Sequence, residues 1–522
     1  LIIKKVFGSS NVKEFLLNNP LDRAYKCVIL YINKERKMEI RSNSQDLLRE
    51  LLEKYGNKPL DFLVSNNFTR KSLIKFLDKK IYQYFMAENR YPKRVQEDKY
   101  YMVRSLICAM DKVIPQSRNA PAVRRALVNS FILNIFLKRD ERIEEYKRKY
   151  HSSPPGFITI SPTKACNLRC SGCYANSSEA EFNKLDWGTL ERIVREKTEL
   201  WGSHFTVISG GEPFLYRSEG KTIIDLARKY QDNYFLVYTN GTLIDRDLAR
   251  EIAEVGNMTP AISVEGFERE TDERRGKGVF GKILDAMKNL RDAGVPFGIS
   301  VTATKNNAEL VVSDEFIDFY FNKQGVAYCW IFQLMPIGRA TVDLMVTPEQ
   351  RKMMFERVQR LIRERNIFIA DFWNCGSVAN GCISAGIEGG YLYIEWNGNV
   401  TPCVFNPYSP VNIYDIYKNG GTLNDVLKEP FFEAIRKWQK EYGLERKPEE
   451  VGNWIIPCAI KDHYDNMIKL LKEYKPVPID ESAREALEDE EYERAMKEYG
   501  SAVKEVLDPV WKREYLDSCA GE

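Results

Sequence analysis

Three cysteines within eight residues constrain this chain more than any other feature: Cys166-Asn-Leu-Arg-Cys170-Ser-Gly-Cys173, followed by Tyr174. They come after a short β-branched and aromatic run, Gly156 to Pro162, that reads as a buried strand, so they lie on the loop leaving it. The Cys-x3-Cys-x2-Cys spacing lets three thiolates hold three corners of a [4Fe–4S] cube and leaves the fourth iron open. An open iron can bind and reduce a small molecule rather than only pass electrons. A structural zinc knot or three unrelated thiols are the alternatives. Zinc sites usually bring four ligands in two close pairs, and no fourth Cys or His lies near in the sequence.

The motif resembles that of the radical SAM enzymes, and the resemblance runs from about Pro155 to Cys458. It implies that the open iron binds S-adenosylmethionine (SAM) through its amino and carboxylate groups. Cleavage of the sulfonium by a cluster electron would release a 5′-deoxyadenosyl radical, which takes hydrogen from an unactivated carbon. Cys166, Cys170 and Cys173 would then be catalytic as well as metal ligands. The family often has an aromatic residue just before the third cysteine; here it is Gly172. Tyr174 follows instead and is the candidate cofactor contact on this loop, with much of the adenine contact left to backbone.

From Gly156 onward the chain alternates strand and helix. Strands are expected at 204–208, 234–238, 260–264, 297–302 and 327–334, with helices at 190–201, 221–230, 245–255, 280–293 and 314–322. Repeated β-α units imply a parallel sheet with right-handed crossovers. Six of them match the partial (β/α)6 barrel of radical SAM cores, an α/β fold. Sites in such sheets gather at the carboxyl ends of the strands, and the polar signatures fall there. Ser209-Gly210-Gly211-Glu212-Pro213 pairs two glycines, which let backbone approach closely, with a carboxylate. The resemblance implies that this element receives the SAM amino group. Asn240 closes the third strand, and Ser263 and Glu265 close the fourth, where the family contacts the SAM ribose or carboxylate. Arg339, in a Pro-x-Gly-Arg-Ala ending that recurs in the subgroup with auxiliary clusters, is a candidate partner for a carboxylate of SAM or substrate. Cys329 on the sixth strand is a candidate to point into the barrel.

A second cysteine group follows: Cys375, Cys382, Cys403 and Cys458. Residues 395–403 read as a hairpin turning at Asn397-Gly398 that delivers Cys403. This resembles the auxiliary cluster of SPASM and twitch-type radical SAM enzymes, which implies a second, fully ligated [4Fe–4S] cluster. Buried free thiols are the alternative.

Composition adds a charge asymmetry. The chain has 522 residues and a net charge of +3, yet residues 1–150 hold 32 Lys and Arg against 17 Asp and Glu. A basic arm on an acidic body suggests an anionic partner, such as a membrane surface. Strands at 27–32 and 37–40 and a helix at 44–55 are expected in this arm, then helices at 101–114 and 122–138. The last is apolar on most sides and bracketed by Arg124, Arg125, Lys138 and Arg139. That pattern suits either a bilayer interface or a buried core helix. The expected division is 1–150 basic and mostly helical, 155–345 radical SAM core, 346–465 auxiliary cluster domain and 466–522 acidic helical tail. Eleven cysteines without a secretory signal point to the cytoplasm, with a peripheral placement on the inner membrane face.

The substrate reading favours lipid acyl-chain modification or C–C coupling. The basic apolar helices ahead of the core and the single auxiliary cluster resemble the layout of bacterial membrane-spanning-lipid synthases. A peptide maturase forming a crosslink or an oxidised residue is the alternative, and a non-enzymatic Fe–S electron carrier is a third. Sulfatase maturases have Asp directly after the hairpin cysteine, where this chain has Val404. Expected partners are a small-molecule or lipid substrate and a reductant such as flavodoxin or ferredoxin, with no nucleic acid.

Overall fold

Seven short apolar segments pair side by side: β1 (Ile158–Ile160), β2 (Phe205–Ile208), β3 (Tyr234–Thr239), β4 (Met258–Val264), β5 (Gly298–Ala303), β6 (Cys329–Gln333) and β7 (Ile369–Asp371). Each is parallel to the next, in the register Thr159↔Val207, Leu236↔Thr259 and Val301↔Ile331. Nearly every position in them is buried, as parallel strands covered on both faces require. The computed structural model describes residues 66–137 and 140–517. The expected strands and helix between 27 and 55, together with Lys138 and Arg139, lie outside the described residues.

Three features depart from the expected layout. β7 is a seventh parallel strand; at three residues it is too short for its hydrophobic pattern to stand out. The hairpin strands β8 (Tyr393–Ile394) and β9 (Asn399–Thr401) join the same sheet, with β8 parallel to β1 through Thr159↔Tyr393. The sheet therefore runs across the expected boundary at 345. Finally, a helix at Glu268–Arg275 follows β4, in a stretch too charged to show an apolar face.

Side-chain alternation along β6 settles the place of Cys329. Trp330 and Phe332 line the barrel interior, so Cys329 and Ile331 point the other way, into the packed helical layer. Cys329 is a core thiol, pushed up in pKa by burial.

The amino-terminal helices pack onto the barrel. Helix α1 (Asn67–Met86) lies on α2 (Lys93–Gln116), with the Tyr100 hydroxyl donating to Asp78 at 2.9 Å. Helix α3 (Pro121–Ala126) continues as wider π-helical turns over Leu127–Leu137. This is the apolar helix with basic flanks. Val123, Ala126, Leu127 and Val128 are buried, and Phe131 meets Tyr234 edge to face at 5.3 Å. Its polar residues are satisfied there too: Ser130 Oγ donates to Gln231 O at 2.6 Å and Asn134 Nδ2 to Asp232 O at 2.9 Å. The expected bilayer-facing role is therefore corrected. This face covers the amino end of β3, which is the core-helix alternative. No helix among the described residues is long and apolar enough to cross a membrane.

Candidate active site

The cysteine loop leaves the carboxyl end of β1. Cys166 N–H donates to Ser178 O at 3.1 Å, closing the loop on itself. Cys166 is buried, which pushes its thiol up to about 12; the neighbouring Cys170 and Cys173 push the same way. Metal binding displaces the proton of such a thiol, so cluster assembly here would release protons. Asn240 Nδ2 lies 3.8 Å from Cys166 Sγ and donates to Asn167 Oδ1 at 2.9 Å.

The two glycines of the Ser-Gly-Gly-Glu element are explained by the chain's own backbone. A Cβ on Gly211 would sit 2.1 Å from Ala165 O, and one on Gly210, at φ +118°, would sit 2.7 Å from Thr163 O. Any side chain there would drive the β2 loop off the cysteine loop. Tyr174 strengthens the same junction, its hydroxyl 2.7 Å from Ser209 Oγ. Glu212 is fully buried. Its carboxylate accepts from Thr239 Oγ1 and Asn240 N, both at 2.8 Å, and from Phe214 N at 3.2 Å. Burial outweighs these bonds and raises its pKa to about 7.

Glu265 is also buried. Its Oε1 pairs with Arg274 at 2.8 Å and Arg275 at 2.5 Å, while its Oε2 has no hydrogen-bond partner among the described residues. Glu265 thereby holds both guanidiniums at the chamber wall, which Arg274 and Arg275 line. Ser263 Oγ lies 3.1 Å from Ser300 Oγ on the neighbouring strand.

Arg339 is placed differently from expectation. Nε and Nη2 donate to Cys170 O at 3.2 and 3.1 Å, Nη2 also to Ser177 O at 3.0 Å, and Nη1 to Asn176 Oδ1 at 2.8 Å. The guanidinium is engaged by the cysteine loop, so it is not presented to a carboxylate of SAM or substrate. Gly338 before it, at φ +63°, brings the strand-end loop so close that a Cβ would meet Cys173 O at 2.5 Å.

The second cysteine group lies across the barrel mouth. Burial pushes the thiols of Cys403 and Cys458 up; the neighbouring Cys458 and Cys382 push Cys403 the same way, as Asp462 and Cys382 do Cys458. Cys375 N–H donates to Asp371 O at 2.9 Å. Asp462, paired with the buried Arg351, accepts from Cys458 N at 3.0 Å. Among the described residues no three His, Cys, Asp or Glu side chains close to single-ion distance. A cube, whose thiolates sit on different irons, does not require that.

Both groups face one chamber of about 520 Å³. Cys166, Cys170, Cys173, Tyr174, Gly210, Gly211, Asn240 and Ser263 line one end, and the second four cysteines line the other. Glu212, Glu265 and Arg339 stand behind the wall. Between the two ends the lining is mostly aromatic: Phe332, Phe372, Trp373 and Phe405 pack ring to ring at 4.8 to 5.8 Å. Val404 is part of this wall, and Met102, Val103 and Leu106 of α2 close it from outside the barrel. Sequence reading missed Arg274, Arg275 and the α2 residues. The Arg-Arg-Gly ending of a charged stretch after β4 was the available signal for the arginines; nothing local marked α2.

A parallel sheet with a cysteine loop at one strand end and a second cysteine group lining the same chamber suits iron–sulfur chemistry. Residues 160–317 match the radical SAM superfamily, and residues 382–449 match the SPASM iron–sulfur cluster-binding domain. The chain thus carries a radical SAM domain and a SPASM domain. Those domains bind SAM with a [4Fe–4S] cluster and auxiliary iron–sulfur, respectively. The chain is similar to the Fe-coproporphyrin III synthase of Methanosarcina barkeri, at 33% identity over 32% of this chain and 42% of that one. It is similar to the mycofactocin maturase MftC of Mycolicibacterium smegmatis, at 26% over 62% and 79%. It is also similar to the sporulation killing factor maturation protein SkfB of Bacillus subtilis, at 26% over 48% and 60%. The match spans less than two thirds of the first and third of these relatives.

Proposed function

We propose that this enzyme removes hydrogen from an unactivated carbon on an apolar group that enters the chamber between the two cysteine sites. The carrying observation is the wall of that chamber, aromatic and aliphatic from Tyr238 through Phe332 to Phe405, with Val404 in place of an ionisable group. We assign Cys166, Cys170 and Cys173 to the SAM-binding cluster and Cys375, Cys382, Cys403 and Cys458 to one auxiliary cluster. Bound there, cluster and SAM together supply a 5′-deoxyadenosyl radical. The chain's own residues do the rest. Asn240 and the backbone around Ser178 hold the loop, Glu265 anchors Arg274 and Arg275 at the chamber wall, and the aromatic wall excludes water and orients the reacting group.

A peptide is the first candidate to carry that group, because two of the three relatives are named as maturation enzymes. A lipid acyl chain is the second reading, favoured by one observation: Met102, Val103 and Leu106 extend the apolar wall beyond the barrel. Hydrogen transfer distinguishes them. Reconstituted enzyme with SAM and reductant is given either a deuterated peptide digest or vesicles of phospholipid with perdeuterated acyl chains. Deuterium appearing in 5′-deoxyadenosine from the peptides supports the first, and from the acyl chains the second. A chamber variant such as Phe405→Asp that leaves deuterium transfer unchanged overturns the role of the wall.

A further inference from the structure

We propose that Arg274 and Arg339 form a two-guanidinium clamp on the cysteine loop and that its positive charge sets how readily the cluster bound there is reduced. The inference rests on the assignment of that cluster to Cys166, Cys170 and Cys173. Arg274 lies in the last turn of the helix after β4 (Glu268–Arg275). Its Nε donates to Ser171 O at 3.0 Å and its Nη2 to Gly172 O at 3.2 Å, while its own carbonyl accepts from Ser171 N at 3.0 Å. Arg339 comes from the loop after β6 and takes Cys170 O and Ser177 O. Four carbonyls of one loop thus accept from two guanidiniums brought by different elements. Gly172, at φ +64°, is the turn that lets two successive carbonyls face one Arg.

The charge is uneven. Arg274, Arg275 and Arg339 bring three permanent positive charges to this loop, against two buried carboxylates, Glu265 shared by Arg274 and Arg275 and Glu212 acting on Cys166. Arg275 feels the thiols of Cys170 and Cys173 after Glu265. In a partly buried site such charges are weakly screened. A cube that gains an electron gains negative charge, and potentials of these clusters respond to nearby charge and hydrogen bonding. The clamp therefore favours the reduced state. An Arg is suited to this work because its fork reaches two carbonyls at once and keeps its charge when buried. Both are positioning residues; neither touches the reacting carbon.

The experiment is an EPR-monitored redox titration of the reconstituted full-length chain, following the signal that shifts when SAM is added. Arg274→Gln and Arg339→Gln should each lower the reduced-to-oxidised ratio at a fixed poise about tenfold, equivalent to about 59 mV for one electron. Arg274→Lys and Arg339→Lys, which keep the charge, should stay within about threefold of the unchanged chain (about half of the 59 mV per decade). Gln variants that retain iron and titrate as the unchanged chain does would overturn the clamp's electrostatic role. So would Lys variants that fall as far as the Gln variants, or that lose the cluster with them, since either result makes the role purely structural. Iron lost in the Gln variants but retained in the Lys variants supports the charge. If the unchanged chain shows no SAM-responsive signal, it is the assignment of the cluster that fails.

Discussion

The two cysteine sites are built in opposite ways. The first occupies eight consecutive residues on one loop, and its neighbours grip the backbone of that loop. The second spans residues 375–458, and a different element holds each cysteine. Asp98 of α2 accepts from Ser377 Oγ at 2.7 Å, two residues from Cys375. Gln439 Nε2 donates to Cys382 O at 3.1 Å. The β8–β9 hairpin carries Cys403, and the Arg351–Asp462 pair fixes the turn at Cys458. The first site is a local structure placed on a scaffold; the second exists only when the whole fold has closed. A local site should therefore tolerate distant damage that empties a dispersed one.

The sharpest way to break this comparison is to remove the local site outright. Replacing Cys166, Cys170 and Cys173 together with Ala should abolish 5′-deoxyadenosine formation while about four irons remain, one cube's worth. Deoxyadenosine still formed at the unchanged rate would refute the assignment. The reverse experiment, Cys458→Ala, should take iron from about eight per chain to about four and leave reductive cleavage of SAM in place. An unchanged iron content would show that Cys458 is not a ligand.

A smaller effect tests the dispersal itself. Asp98 is buried and takes bonds from Arg363, Ser377 and the Tyr515 hydroxyl. Asp98→Ala removes the shared acceptor of Ser377 and Tyr515 and leaves Arg363 with Glu97 and Gln359, at a cost of about 1–3 kcal/mol. The thermal midpoint should drop and auxiliary iron should fall while the SAM-responsive EPR signal persists. Equal loss at both sites would mean that they are not independent. The smallest effect is one of pH. Glu212, raised to about 7 from an unperturbed 4.5, keeps in the folded chain a proton that the unfolded chain releases. Its contribution to stability is present below pH 4.5 and is lost as pH rises to about 7. Glu395, raised to about 7 by burial, acts the same way. The metal-free protein should have a lower thermal midpoint at pH 7 than at pH 5, and Glu212→Gln should reduce that difference. Identical differences would assign the dependence to other groups.

The cysteine loop and the strand–helix alternation were legible because both are written in neighbouring residues: three thiols at fixed spacing, and apolar runs separated by capped amphipathic helices. Strand ends also followed, since parallel sheets put their polar turns there. β7 was not legible, because three residues carry no period. Arg274 and Arg275 were hidden in a helix with no apolar face, which is held by an Asp272-capped turn and by Glu265 rather than by a hydrophobic stripe. The apolar helix at 127–137 was legible as apolar but not as to its partner. Periodicity reports that a face is buried and does not say whether lipid or protein covers it.

On its own, then, the sequence determined the class of chemistry, because an iron–sulfur loop is a local arrangement of ligands that needs only a strand to leave from. The tertiary structure alone decided which residues share the chamber. It brought Met102 of α2, Phe332 of β6 and Phe405 beyond β9 onto one wall, turned Arg339 onto the cysteine loop, and turned Cys329 out of the barrel. These outcomes depend on side chains far apart in sequence meeting across one sheet. Packing and the satisfaction of buried polar groups select such meetings, and no short stretch of chain records them.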